Sequence, residues 1–158
     1  MALFVPLTEK AQNIVKNEML TTKNLYHPLE GLSFTVNIDF VLGMYLISKD
    51  DIDKSIKPVI LSDNADIVDL LFKAESFAKS VVTYKKRTNT IGRRVIELIF
   101  NDHITVDEPF VKKKIAKSLQ QMAKEHPGEM EDIMYRLVKV AAVTSSIYGG
   151  TMSVGGIQ

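Results

Sequence analysis

The chain has 158 residues, 46% of them hydrophobic and 25% charged, a composition that supports one packed domain and excludes a disordered polymer. Its 20 Lys and Arg against 19 Asp and Glu leave a formal charge of +1, which excludes a wholesale polyanion binder and confines any nucleic-acid contact to a local patch. The chain has no cysteine, so a disulfide framework, a thiolate zinc site and a cysteine nucleophile are excluded.

No apolar run approaches the ~18 residues of a membrane helix, and no basic-then-apolar leader opens the chain. The expectation is a cytoplasmic protein with no membrane partner. In chain order, Ala2 to Leu7 reads as a short buried strand ended by Pro6. Thr8 suits an N-cap, and Ala11, Ile14, Val15 and Met19 share a face of a helix over 9–20. Pro28 and Gly31 mark a loop over 21–31, residues 33–36 read as a strand, and Asp39 can cap a helix over 40–47. Residues 48–57 form a charged turn, 58–61 an extended run and 65–74 a helix. The β-branched and aromatic run Ser80 to Tyr84 predicts a strand, which Lys85-Lys86-Arg87 ends. Three helices follow. The first, over 91–100, turns Ile91, Val95, Leu98 and Ile99 inward. The second, over 110–125, has a stripe of Val111, Ile115, Leu119 and Met122. The third, over 129–147, carries Ile133, Leu137, Ala141 and Thr144. His126-Pro127-Gly128 breaks the last pair apart, and Gly149-Gly150 stops the third. The fold class is α+β and helix-rich. Its few strands leave open edges, and an isolated strand at 2–6 needs a partner.

A scan for chemistry returns little. His27, His103 and His126 are scattered, with no helical ligand spacing, and read as polar surface residues. Asp50, Asp51 and Asp53 lack the glycine and distal Glu of a calcium loop. There is no Gly-x-Ser-x-Gly elbow and no Walker lysine. Two basic groups, Lys85 to Arg87 with Arg93 and Arg94, and Lys112 to Lys114 with Lys117, could meet phosphates, although solvated faces are the commoner use of such runs.

The order of short phrases is more specific. Met1-Ala-Leu-Phe-Val-Pro-Leu-Thr-Glu-Lys-Ala-Gln12 resembles the stretch that follows the catalytic Asn-Ala-Asp-Phe-Asp-Gly-Asp motif in the largest, β′-type subunit of multisubunit DNA-directed RNA polymerases. Asn24-Leu25-Tyr26-His27-Pro28-Leu29-Glu30-Gly31 is similar to that family's Asn-Ile-Leu-Ser-Pro-Ala-Asn-Gly. Asp39-Phe40-Val41-Leu42-Gly43-Met44-Tyr45 is similar to its Gln-Asp-x-x-Leu-Gly-Leu-Tyr, with Ile38 in place of Gln. Asn89-Thr90-Ile91-Gly92-Arg93 resembles the Thr-Thr-x-Gly-Arg that opens the pore region, Lys113-Lys114-Ile115 the helix after it, and Ser153-Val154-Gly155 a Ser-Val-Gly stretch near the funnel. The middle, about 48–88, is matched least.

The resemblance implies an internal slice of a very large subunit. Residues 1–47 would end the barrel domain, and 48–158 would belong to the pore, or secondary channel. The strand at 2–6 would complete a double-psi β-barrel carried by a partner chain. Asn24, Pro28, Gly31, Asp39, Gly43, Gly92, Ser153 and Gly155 would be structural motif positions, and Thr90 and Arg93 would face the active centre, with a structural hydrogen bond as the competing role for Arg93. The catalytic Mg²⁺ would be held by a partner chain, and no catalytic residue or metal ligand is assigned here. The implied partners are other polymerase subunits and, through the complex, DNA template, RNA and nucleoside triphosphates. Such a slice fits a subunit split among several genes, as in some large-genome bacteriophages, or one exon of an interrupted gene. An autonomous helical module that binds protein or nucleic acid is the reading from another class.

Overall fold

The computed structural model describes residues 5–20, 24–27, 29–49, 52, 57–60, 80–84 and 86–148. Of the predicted strand at 2–6, only Val5 and Pro6 are described, and neither lies in a strand. Thr8 caps as expected: its hydroxyl accepts from the Ala11 amide at 3.2 Å and starts α1 (Glu9–Ile14). The helix then passes into one π-helical turn, Val15–Met19. The wider turn breaks the 3.6-residue register ahead of Met19, which is exposed; Ile14 before it is exposed too, while Ala11 and Val15 are half-buried. Asn24 donates through Nδ2 to the carbonyls of Glu18 (2.6 Å) and Leu20 (3.2 Å), satisfying acceptors that the helix end leaves open.

β1 (Tyr26–His27) and β2 (Gly31–Leu32) pair antiparallel, with Gly31 at φ 81°. Residues 33–36 are not the strand expected of them. They run without a ladder, and Phe34 and Val36 lie against the core. α2 (Ile38–Ser48) begins earlier than predicted, because Asn37 is the N-cap and Asp39 falls in the first turn, where its charge still meets the positive end of the helix.

A second sheet has the order β3 (Val59–Ile60), β4 (Val81–Tyr84), β5 (Arg87–Thr90), the first pair parallel and the second antiparallel. Nothing in the sequence pattern announces β5. Arg-Thr-Asn-Thr has no apolar alternation, and pairing supplies its order: Val81 stands opposite Thr90, Tyr84 opposite Arg87, and the Thr83 and Thr88 hydroxyls bond at 2.9 Å. Lys86 takes φ 67° in the tight turn between them. The helix predicted over 65–74 and the glycine stop at 149–150 lie outside the described residues.

Three helices complete the fold: α3 (Ile91–Ile99), α4 (Lys112–Glu125) and, after a 3-10 turn at Pro127–Glu129, α5 (Met130–Tyr148). Their inner faces meet α2 in one core, with Met44 and Ile47, Ile91 and Ile96, Ile115 and Leu119, and Ile133 and Leu137 buried. Phe100 and Phe110 meet edge to face at 6.1 Å between centroids. Val111, placed in the α4 stripe by the sequence pattern, is instead its exposed N-cap, and Phe110 fills the core position beside it.

Candidate functional site

One motif phrase, Asn89 to Arg93, lies where β5 runs into α3. Thr90 caps α3, its hydroxyl accepting from the Arg93 amide at 3.4 Å. The preceding Asn89 is buried. Its Oδ1 accepts from the Thr90 amide at 2.9 Å, and its Nδ2 donates to the Val106 carbonyl at 2.9 Å and to Glu97 at 3.4 Å. A short polar side chain at each position lets the strand end and the helix begin within one residue.

Gly92 and Gly43 explain themselves by distance. A Cβ on Gly92 would lie 1.8 Å from the Ile47 carbonyl oxygen, and one on Gly43 would lie 2.3 Å from that of Ala141. α2 therefore touches α3 and α5 backbone to backbone, and only glycine permits either contact. At the α2 end, Arg93 Nε donates to the Ser48 carbonyl at 3.0 Å and its Nη1 to the Asp107 carbonyl at 2.8 Å. Ser48 Oγ donates to the Met44 carbonyl and accepts from the Phe110 amide, both at 2.7 Å. Arg93, 3% exposed, thus places a cation on the C-terminal carbonyls of α2 and ties them to the 105–110 loop. Thr90 is equally buried by this chain's own elements.

Next to this staple lies a buried ionic network. Glu97, 3% exposed, accepts from the Val106 amide at 3.0 Å, stands 2.9 Å from Arg87 and accepts from Arg94 at 3.1 Å. Arg94 also grips Asp102 with two nitrogens and stacks 4.3 Å over the Tyr84 ring. Burial works against its charge, but Asp102 and Glu97 outweigh burial and hold Arg94 above the ordinary arginine pKa. Arg87 bonds Asp107 as well. The network borders a cleft of about 190 Å³ between the β4–β5 hairpin and α3. The sequence pattern singles out Arg93 but neither Glu97 nor Asp102, because a carboxylate in a helical pattern reads as a solvated face until a fold buries it.

Of the other motif positions, Asn24 is exposed at the end of the π turn, Gly31 is in the β1–β2 hairpin and Asp39 is exposed on α2. Pro28, Ser153 and Gly155 lie outside the described residues. Of the second basic group, Lys114 pairs with Glu108 while Lys112, Lys113 and Lys117 are exposed. The histidines are less scattered than their spacing suggests. His103 and His126 stack at 3.9 Å, with Glu129 beside both. A hydrogen bond from Asn101, with the two imidazoles adding to it, holds the Glu129 carboxyl below its ordinary pKa. Among the described residues, no helix is long and apolar enough to cross a membrane.

No protein-family model matches the chain. Individual relatives do. The chain is 32% identical, over an alignment of 137 positions that covers 79% of its length, to the DNA-directed RNA polymerase subunit β′ of a Nitratiruptor species. It is 33% identical over the same share to that of Campylobacter lari. To that of Treponema pallidum it is 25% identical over 99% of its length. The chain spans only 9% to 12% of the length of these curated relatives. Over most of its length, then, this sequence corresponds to a β′-type segment of DNA-directed RNA polymerase.

Proposed function

We propose that this chain is a component of a DNA-directed RNA polymerase, a piece of a split β′-type subunit that buttresses the active-site barrel and forms part of the nucleotide-entry pore. The observation that carries this reading is the similarity to β′ subunits across most of the chain. In this reading, residues 1–47 end the barrel domain and complete a double-psi β-barrel on a partner chain. Residues 48–158 belong to the pore, with Thr90 and Arg93 on the side turned to the active centre.

Exposed apolar surface supports an assembled state. Leu7 is 90% exposed and Ile38 79%, α1 buries none of its residues, and Tyr135, Val138 and Val143 stand outward on α5. An apolar groove of about 450 Å³ runs between the start of α2 and α5, lined by Val36, Phe40, Met134 and Val138. Left in water, such surface favours a partner at roughly 25 cal/mol per Å² buried.

The chemistry of the assembly is nucleotidyl transfer at a Mg²⁺ centre, which supplies charge neutralisation at the reacting phosphates. This chain's described residues do not fit that ion. Their one cluster of three potential ligands offers two imidazoles and a single carboxylate, whereas Mg²⁺ takes oxygen donors. In this reading the metal is held by a partner chain, and the work of this chain is positional: the Arg93 staple and the Glu97 network hold α2, α3 and the β4–β5 hairpin together. Template DNA, RNA and nucleoside triphosphates are partners of the whole complex.

A second reading, a self-standing interaction module, is favoured by the closed core of α2 to α5 and by the exposed Lys112, Lys113 and Lys117. Peptide mass spectrometry on complex purified from native cells separates the two. Polymerase-like chains co-purifying with this one are expected. Peptides running past Met1 or Gln158 make it part of a longer subunit. Partners without polymerase character overturn the assignment in favour of the module.

A further inference from the structure

The turn after α3 and the corner between α4 and α5 bring three metal-ligating side chains together, His103 reaching across to His126 and Glu129. Asn101 and Asp102 take left-handed φ of 50° and 63°, and the Asp102 and His103 amides donate back to Glu97 (2.9 Å) and Phe100 (2.9 Å). This turn carries His103 across to the next corner. There His126 ends α4, donating to the Met122 carbonyl at 2.8 Å, and the Glu129 amide donates to the His126 carbonyl at 3.0 Å. All three backbones are thus fixed by hydrogen bonds before any ligand arrives.

The side chains meet at distances a metal uses. One ligand atom from each of His103, His126 and Glu129 lies within 4.8 Å of the others. His103 Nε2 is 3.4 Å from Glu129 Oε2, and His126 Nδ1 is 3.8 Å from Glu129 Oε1. Metal–ligand bonds of about 2.0–2.1 Å in a tetrahedron place neighbouring ligand atoms about 3.4 Å apart, so each imidazole nitrogen already stands near that distance from one carboxylate oxygen, His103 from Oε2 and His126 from Oε1. The rings stack at 3.9 Å and 21° from parallel, so binding one ion requires the two side chains to rotate until their in-plane lone pairs converge beside the carboxylate. Glu129 is oriented from behind. Asn101 Nδ2 donates to Oε2, Arg136 Nη1 donates to Asn101 Oδ1 at 3.3 Å, and Arg136 is itself paired with Asp132.

We propose that His103, His126 and Glu129 form a binding site for a borderline divalent transition-metal ion of the Zn²⁺ kind, pinning the α3–α4 turn to the α4–α5 corner. Two imidazoles and one carboxylate suit Zn²⁺ and disfavour Mg²⁺ and Ca²⁺. Three protein ligands leave a fourth position for water or a donor from a neighbouring chain. The site stands whether or not the polymerase reading holds.

The test uses the full chain, stripped of metal and titrated with Zn²⁺ against a chromogenic chelator, with melting followed in parallel. One Zn²⁺ per chain is expected, with a melting temperature raised by about 5–10 °C at ~100-fold excess over Kd. Millimolar Mg²⁺ leaves it unmoved. His103→Gln, His126→Gln and Glu129→Gln are each expected to weaken Zn²⁺ binding about 100-fold while leaving the metal-free circular dichroism spectrum unchanged, since none of the three is part of the apolar core. Failure of the parent chain to bind Zn²⁺ at ~100 µM overturns the site. So does undiminished binding in the His103→Gln/His126→Gln double variant.

Discussion

Helices α1 and α3 carry comparable apolar stripes in the sequence and end in opposite states. α3 buries nearly every residue, including Arg93, Arg94 and Glu97, because α2 packs on one side and the β4–β5 hairpin and the 104–107 loop on the other. α1 buries none and runs into a π turn that rotates its stripe out of register. An amphipathic pattern states that a helix has a face to cover and not what covers it. For α3 the cover is in this chain. For α1 it is the surface that the polymerase reading assigns to a partner.

The sharpest way to break this contrast is to remove the hub of the α3 side. Glu97→Ala leaves Arg94 and Arg87 facing an emptied buried site and is expected to cost about 3–5 kcal/mol of unfolding free energy, read from the urea midpoint. Glu97→Gln keeps the hydrogen bonds to Asn89 and Val106 and is expected to lose visibly less. Gly92→Ala and Gly43→Ala come next. Each drives a methyl into a carbonyl of a neighbouring helix and is expected to cost about 1–3 kcal/mol in the same assay, against a helix-propensity gain of about 1 kcal/mol. A stabilised Gly92→Ala chain contradicts the close approach of α2 and α3.

The smallest effect is expected on the other helix. Ile14→Ala and Met19→Ala, at exposed positions, are expected to change the stability of the chain by less than about 0.5 kcal/mol. In purified complex the same pair is expected to reduce recovery of partner chains. A large loss of intrinsic stability with intact partner recovery would place the cover for α1 within this chain.

Local chemistry wrote much of the fold. Thr8 acts as a cap, the β-branched run at 81–84 is a strand, and the periodic stripes over 91–100, 110–125 and 129–147 are helices. β5 is illegible in the sequence because its order comes from the strand beside it. The segment at 33–36 misleads because Phe34 and Val36 sit against the core without a ladder. In the site, Thr90, Gly92 and Arg93 are legible as a phrase, while their roles are not. The glycine marks a 1.8 Å conflict that exists only once Ile47 is opposite.

The sequence by itself determined the helix-rich α+β class, the helical stripes and the relation to β′ subunits, because periodicity, capping and phrase order are properties of neighbouring residues. Only the tertiary structure decided that Glu97 and Arg94 are buried partners, that Arg93 holds the end of α2, and that His103 and His126 share a corner with Glu129. Most of those contacts depend on residues distant in the chain: Val106 on Glu97, Ser48 on Arg93, and His103 on His126. Their strength comes from burial and mutual geometry, and neither exists until the helices have packed.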